Sequence, residues 1–273
     1  MQVSNPAIFS LEEDFALLCA AVQQAGALSM RYFGQSPKHW EKEENQPVSE
    51  ADIAVNELLH DQLQTPRPHY GWLSEETPDA DHRLACSHVW VVDPIDGTKA
   101  FIQDKPEFTI SVALVENHRP VCAVVYNPAQ KEFFAAMTGL QGGTQCNGKP
   151  VRITARETLE NSRICGYEKM FSYDGWAHLW PQLTVENRNS VAYRLALVAG
   201  GQFDATLIMN AKNDWDIAAG DLLVTEAGGT VCGLDGKQLT YNNQKTLHRG
   251  LMAGSDTLVA EFVSRVEKIK HNL

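Results

Sequence analysis

Trp90-Val91-Val92-Asp93-Pro94-Ile95-Asp96-Gly97-Thr98 is the stretch whose residue types and spacing point most directly to chemistry. An apolar run of the kind buried on both faces of a sheet delivers Asp93 at its end. Pro94 has no N–H for the ladder, Asp96 follows, and Gly97-Thr98 opens a short helix. Two carboxylates this close repel unless a cation lies between them. Hard oxygen ligands suit Mg2+, which takes few carboxylates and shares its sphere with water and phosphate. A helix starting at Gly97 and Thr98 would aim free N–H groups at an anion, so a cation site and an anion site would adjoin. Taken alone, an Asp-x-x-Asp spacing also fits a strand end and a turn.

Further acids stand in comparable settings. Gly71-Trp72-Leu73-Ser74-Glu75-Glu76 places an acidic pair after a short apolar run. In isolation it also reads as a solvated loop. Asp216, in Trp215-Asp216-Ile217-Ala218-Ala219-Gly220, falls in the first turn of a predicted helix. The macrodipole favours a carboxylate there by about 0.3–1 kcal/mol. Asp52, in Pro47-Val48-Ser49-Glu50-Ala51-Asp52, has the spacing of a capping box with Ser49.

The string Asp-Pro-Ile-Asp-Gly-Thr, followed by Trp-Asp-Ile-Ala-Ala-Gly and Glu226-Ala227-Gly228-Gly229, resembles the signature of the inositol monophosphatase superfamily. Glu75-Glu76 and Pro47 to Asp52 resemble two further family segments, and the likeness runs from the first helix to the last. It implies a magnesium-dependent phosphomonoesterase with two or three Mg2+ ions per site. The ligands would be Glu75, Asp93, Asp96, Asp216 and the backbone carbonyl of Ile95. Thr98, oriented by Asp52 or Glu75, would position the attacking water, and the N–H groups of Gly97 and Thr98 would hold the phosphate. Lys42 matches an upstream lysine near the metal site. No covalent phosphoenzyme is implied. Lithium inhibition, an αβαβα five-layer sandwich and a homodimer are.

The substrate signal is mixed. Asp96-Gly97-Thr98-Lys99-Ala100-Phe101-Ile102 resembles the nucleotidase and histidinol phosphatase form, with lysine after threonine. Trp215 to Gly229 is similar to inositol phosphatases. Arg194 has two readings, a ligand for a second phosphate or the partner of a structural acid. The balance favours an inositol monophosphate or related polyol phosphate. The alternatives are 3′-phosphoadenosine 5′-phosphate and then histidinol phosphate. A purely regulatory, non-catalytic member of the superfamily should have lost a metal ligand, and none is lost.

The elements that must position these residues follow from periodicity. A first helix starts at Ser10, whose spacing to Glu13 is a capping box; Phe15, Leu18, Val22 and Ala25 share a face, and Gly34 can end it. Lys38 to Pro47 is polar and predicts a loop, and a second helix starts at Ser49. Strands are predicted at Tyr70–Ser74, Val89–Val92, Phe108–Leu114, Val121–Tyr126 and Glu132–Ala136, with an Asn147-Gly148 hairpin turn. Beyond that, helices are expected over Met170–Trp180, Ser190–Ala199, Trp215–Ala227 and Asp256–Lys270. Strands are expected at Arg163–Gly166, Leu183–Glu186, Phe203–Met209 and Leu251–Gly254. Intermixed helices and strands indicate a layered α/β or α+β fold. A soft boundary near residue 155 separates a meander-rich lobe, 8–155, from an alternating one, 156–270.

Bulk properties narrow the function classes. The net charge of −11, from 34 acidic and 23 basic side chains, argues against a general nucleic-acid partner. No apolar run approaches the ~20 residues of a membrane span, and Met1 to Ser10 lacks a secretory pattern, so a cytoplasmic protein is expected. Its partner would be a small phosphorylated metabolite. Six scattered cysteines without a Cys-x-x-Cys pair, and nine histidines without zinc-like spacing, read as packing and surface residues.

Overall fold

The structure, a computed structural model, describes residues 9–43 and 46–271. Met1 to Ile8 of the stretch inspected for a leader, and Glu44 and Asn45 of the expected loop, lie outside the described residues. Helix α1 (Leu11–Tyr32) begins with the capping box: Ser10 N donates to Glu13 Oε2 at 2.8 Å and Glu13 N to Ser10 Oγ at 3.2 Å. Gly34, at φ +75°, turns the chain away just past its end.

The segment expected to be a loop instead carries two paired strands, β1 (His39–Glu43) and β2 (Gln46–Ser49), with Trp40 opposite Val48. Polar residues on both faces of β1 hide the alternation that betrays most half-buried strands. Helix α2 (Glu50–Leu63) follows, capped by Ser49. Then come β3 (Gly71–Ser74), β4 (His88–Asp96), the short helix α3 (Thr98–Ile102), β5 (Thr109–Glu116), β6 (Arg119–Asn127), β7 (Glu132–Met137), β8 (Gln145–Cys146) and β9 (Lys149–Pro150). Strands β3 to β9 form one seven-stranded sheet in sequence order, parallel only between β3 and β4. Asn147 and Gly148, both at positive φ, make the turn between β8 and β9, as the Asn-Gly pair predicts.

The second half holds β10 (Ser162–Cys165), α4 (Glu168–Phe171), β11 (Leu183–Glu186), α5 (Val191–Ala199), β12 (Ala205–Ile208), β13 (Lys212–Asn213) and α6 (Asp214–Glu226). It closes with β14 (Thr230–Gly233), β15 (Leu247–His248), β16 (Leu251–Gly254) and α7 (Asp256–His271). Five of these strands form a second sheet in the order β11-β10-β12-β16-β14. The helix expected over Met170–Trp180 is broken. α4 stops at Phe171, and a separate 3-10 turn covers Ala177–Leu179. Ser172, Asp174 and Gly175 lie between them, and all three are poor residues for a helix interior.

Burial defines five layers. Leu18, Val22 and Ala25 of α1 and Val55, Leu59 and Leu63 of α2 pack on Trp90, Val92, Ile110, Val112 and Leu114 of the large sheet. The opposite face of that sheet, with Val89, Val91, Ala113 and Val125, meets α5 and α6. Those helices also cover Cys165, Ile208, Leu251 and Ala253 of the small sheet. Its far face, with Ile164, Ala205, Leu207 and Met252, packs on Leu258, Phe262 and Val266 of α7. The fold is therefore the αβαβα sandwich. Each fully buried Leu, Val or Phe contributes about 1.5–3 kcal/mol, and the α5–α6 layer draws its apolar surface from both sheets. Gly220 lets these two helices approach closely, since a Cβ there would fall 2.4 Å from Leu195 Cδ1. Among the described residues no helix is long and apolar enough to cross a membrane, and all six cysteines are free thiols.

Candidate active site

Strand alternation decides where Asp93 points. Val89 and Val91 face α6, while Trp90 and Val92 face α1 and α2, so Asp93 continues the α6 side. Ser111, opposite Asp93 in the β4–β5 register, donates to the carbonyl of Trp215 at 3.3 Å. The face that carries Asp93 thus meets the first turn of α6, where Asp216 stands. The register then shifts between Asp93 and Asp96. Three residues of β4 span two of β5, a bulge of the kind that re-aims side chains beside sites. Glu75 follows directly on β3, which runs parallel to β4, and its N–H donates to the Val92 carbonyl at 3.2 Å. Both acids therefore leave the carboxyl ends of adjacent parallel strands, where open α/β sheets place their ligands.

Oxygens of Asp93, Asp96 and Asp216 lie within 4.8 Å of one another. One oxygen of each of two of these acids is tied back into the protein. Asp96 Oδ2 accepts from Ser190 Oγ and from Ala192 N, each at 2.6 Å. Asp216 Oδ2 accepts from Asn213 N at 2.7 Å. Asp93 Oδ1, by contrast, is buried without a hydrogen-bond partner, a costly state for a carboxylate oxygen. Burial lifts Glu75 to about 8, with the charges of Asp216 and Glu76 adding to the rise and Lys42 opposing it. Burial and the Asp96 charge lift Asp216 to about 6. Burial, then the neighbouring carboxylates, hold Asp93 well above the usual carboxylate range. A buried orphan oxygen inside an all-carboxylate cluster fits a hard divalent cation, which would satisfy the one and neutralise the other.

Helix α6 is held rigidly enough to fix Asp216. Asp214 accepts from His248 Nε2 and from Asn242 N, each at 2.7 Å. Deeper in the helix, Asp221 takes Arg119 at 3.0 and 3.1 Å and the Tyr241 hydroxyl at 2.8 Å. These buried carboxylates are fully paired, unlike those at the cleft, and sequence reading singled out none of them.

The cluster opens on a cleft of about 240 Å³ lined by Glu75, Asp93, Ile95, Asp96, Gly97, Thr98 and Asp216 among others. Thr98 Oγ1 lies 3.0 Å from Asp52 Oδ1 and 3.1 Å from the Ile95 carbonyl. Asp52 is buried in the first turn of α2, and its Oδ2 accepts from Ser49 N at 2.8 Å and Ser49 Oγ at 2.6 Å. The two sequence readings of Asp52 are thus met by one side chain, capping with one oxygen and touching Thr98 with the other. Gly97 precedes α3 at φ +97°, a conformation that disfavours any residue with a Cβ.

Lys42 does not line the cleft; it ion-pairs with Glu76, the neighbour of Glu75. Arg194 lies in α5. The residue is buried, 2% exposed, and its guanidinium donates to the Arg188 carbonyl at 2.6 Å and to Asn187 Oδ1 at 2.8 Å. Among the described residues it forms no direct ion pair, but its positive charge favours the ionised form of Asp96 from a distance, and its guanidinium carbon lies 4.8 Å from the centre of the Tyr167 ring. Tyr167, 53% exposed, lines the cleft, as do Gln46, Lys99 and Asn189. Sequence reading missed Tyr167, Gln46 and Asn189 as cleft residues. Each stands in a polar stretch whose local pattern carries no mark of the site.

The model of the inositol monophosphatase family matches residues 10–269. An inositol-1-monophosphatase of Mesorhizobium japonicum is 32% identical, over 92% of this chain and 95% of its own. The 3′(2′),5′-bisphosphate nucleotidase CysQ of Salmonella typhimurium is also 32% identical, over 84% of this chain and 94% of its own. The crystal structure of the extragenic suppressor protein SuhB of Bartonella henselae superposes with a TM-score of 0.80 at 27% identity, covering 93% of this chain and 98% of that one. Since the match runs through both sheets and every acidic segment of the cleft, the chain belongs to the inositol monophosphatase family, whose members are phosphatases of small phosphorylated substrates and are generally metal-dependent.

Proposed function

We propose that this protein is a Mg2+-dependent phosphomonoesterase acting on a small metabolite, with a polyol phosphate of the inositol monophosphate type as its substrate. The observation that carries the reading is the convergence of Asp93, Asp96 and Asp216, with an orphan oxygen on Asp93, beside the Thr98–Asp52 hydrogen bond. Glu75, Asp93, Asp96, Asp216 and the Ile95 carbonyl would hold the cations. Mg2+ would neutralise the phosphate and make water acidic enough to attack near neutral pH. Thr98 has one hydroxyl proton, which Asp52 Oδ1 and the Ile95 carbonyl compete for. Its lone pairs are then free to accept a hydrogen bond from water and so orient it. Gly97 and Thr98 begin α3, whose first N–H groups have no partner within the helix and would hold phosphate oxygens. Lys42 ion-pairs with Glu76, the neighbour of Glu75.

A second reading, a nucleotide 3′-phosphate, is favoured by Tyr167 and Lys99 on the cleft wall. A half-exposed ring can stack on a base, and a lysine can meet a second phosphate. One assay separates the two: phosphate release from inositol monophosphate, 3′-phosphoadenosine 5′-phosphate and histidinol phosphate, with Mg2+, with chelator and across a lithium series. The expected result is turnover that chelator abolishes, Mg2+ restores and lithium inhibits, with inositol monophosphate the best substrate. Turnover of the nucleotide alone would move the substrate to the second reading. Full turnover of any of them in chelator would remove the metal.

The acids also predict a pH dependence. A carboxyl raised in the fold leaves the native state holding more protons than the unfolded chain, so stability falls as pH rises through the window between the two values. For Glu75 that window runs from 4.5 to about 8. In chelator the Tm should therefore fall from about pH 5 to about pH 8. Cations bind the deprotonated acids, so the Mg2+-induced rise in Tm should be larger near pH 8 than near pH 6. A rise independent of pH would count against Glu75 as a ligand.

A further inference from the structure

Ser190 lies fully buried where three elements meet: the end of β4, the start of β5 and the N-terminus of α5. Its Oγ is 2.6 Å from Asp96 Oδ2, 2.9 Å from Thr109 Oγ1 and 2.9 Å from Tyr193 N. A serine hydroxyl has one proton and two acceptor positions. An ionised Asp96 can only accept, so it receives the Ser190 proton. The Tyr193 N–H fills one acceptor position, which leaves the other for Thr109 and makes Thr109 the donor of that pair. Thr109 is also the register partner of Asp96 across β4 and β5. The chain of hydrogen bonds therefore runs from Thr109 through Ser190 to Asp96.

An N-cap needs only the Tyr193 contact. The other two are directed at the acid, and the Ala192 N–H adds a second bond to the same Oδ2 at 2.6 Å. The positive end of the α5 dipole is thus spent on Asp96. One oxygen of Asp96 is occupied twice over and the other is left for the cleft. Ser190 also abuts the turn into α3, since a Cβ on Gly97 would lie 3.5 Å from Ser190 Cβ.

We propose that Ser190 is a positioning residue: its hydroxyl, held by Thr109, fixes which Asp96 oxygen faces the cation site and so sets the affinity of that site. The proposal rests on the metal reading given above. Its test is calorimetric titration of the full chain with MgCl2, together with Tm in chelator, for the parent, Ser190→Ala, Ser190→Gly and Ser190→Thr. Partners that hold metal ligands are typically worth about 10- to 100-fold in affinity, so Ala and Gly should each weaken Mg2+ binding by at least about 10-fold. Thr, which keeps the hydroxyl, should restore it. Glycine is tolerated at an N-cap, so Ser190→Gly, which lowers Tm only through the lost Thr109 and Asp96 bonds, decides the matter if Ser190→Ala does not fold. Parental Mg2+ affinity in both Ala and Gly, with only Tm lowered, would leave Ser190 as a cap and overturn the proposal. No Mg2+ binding by the parent would overturn the metal reading and this proposal with it.

Discussion

Asp93→Asn is expected to lose phosphate release by about 1,000-fold or more, the upper scale for removing a preorganised charged partner of the transition state, while leaving the metal-free fold at least as stable. Both halves follow from the surroundings of this side chain. Asp93 is buried among Glu75, Asp96, Asp216 and Asp52, all of which oppose its ionisation. Its Oδ1 has no hydrogen-bond partner. Without a cation the carboxylate is a burden, and a neutral amide of the same shape removes one like charge from the cluster. With a cation the same change removes a ligand. The measurement is kcat/KM with saturating Mg2+ beside Tm in chelator. A variant with near-parental turnover would show that Asp93 does no chemistry. A chelator Tm several degrees below the parent would show that it is a structural acid.

Thr98→Ala is expected to lower kcat by at least ~100-fold, the low end for a positioned proton-transfer group. The sequence left two jobs for this hydroxyl, capping α3 or orienting water. The structure makes Gly97 the N-cap, with no side-chain cap bond, and turns the Thr98 hydroxyl to Asp52 and the Ile95 carbonyl. Losing those bonds should cost about 1 kcal/mol of stability. An interaction that counts in the transition state should cost rate beyond that. Thr98→Ser keeps the hydroxyl and should retain much of the rate. A Thr98→Ala protein with lowered Tm and near-normal kcat would disprove the role. Asp52→Asn should imitate it only in part, because Asp52 also caps α2 through Ser49.

Local pattern determined much of this molecule. The continuous apolarity of Val89 to Val92 makes β4, the Ser10–Glu13 spacing starts α1, Ser190 starts α5 and Asn147-Gly148 turns a hairpin. Each of these is decided by neighbours within a few residues, where propensity and period suffice. The acids were legible in the same way, by type and by the strand ends and helix starts that flank them.

Tertiary structure alone decided what those residues face. Asp93 meets Asp216 because the β4–β5 register turns its odd-numbered face towards α6 and a bulge then re-aims Asp96. Arg194 has two readings in the sequence, and only the tertiary structure places it buried on α5, beside Tyr167 and donating to the Arg188 carbonyl. β1 is paired although its own residues show no strand period, because β2 supplies the hydrogen bonds and sets the buried Val48 opposite Trp40. In each case the deciding partner lies elsewhere in the chain. Which partner that is depends on sheet register and layer packing, free energies summed over whole faces that no local window of sequence contains.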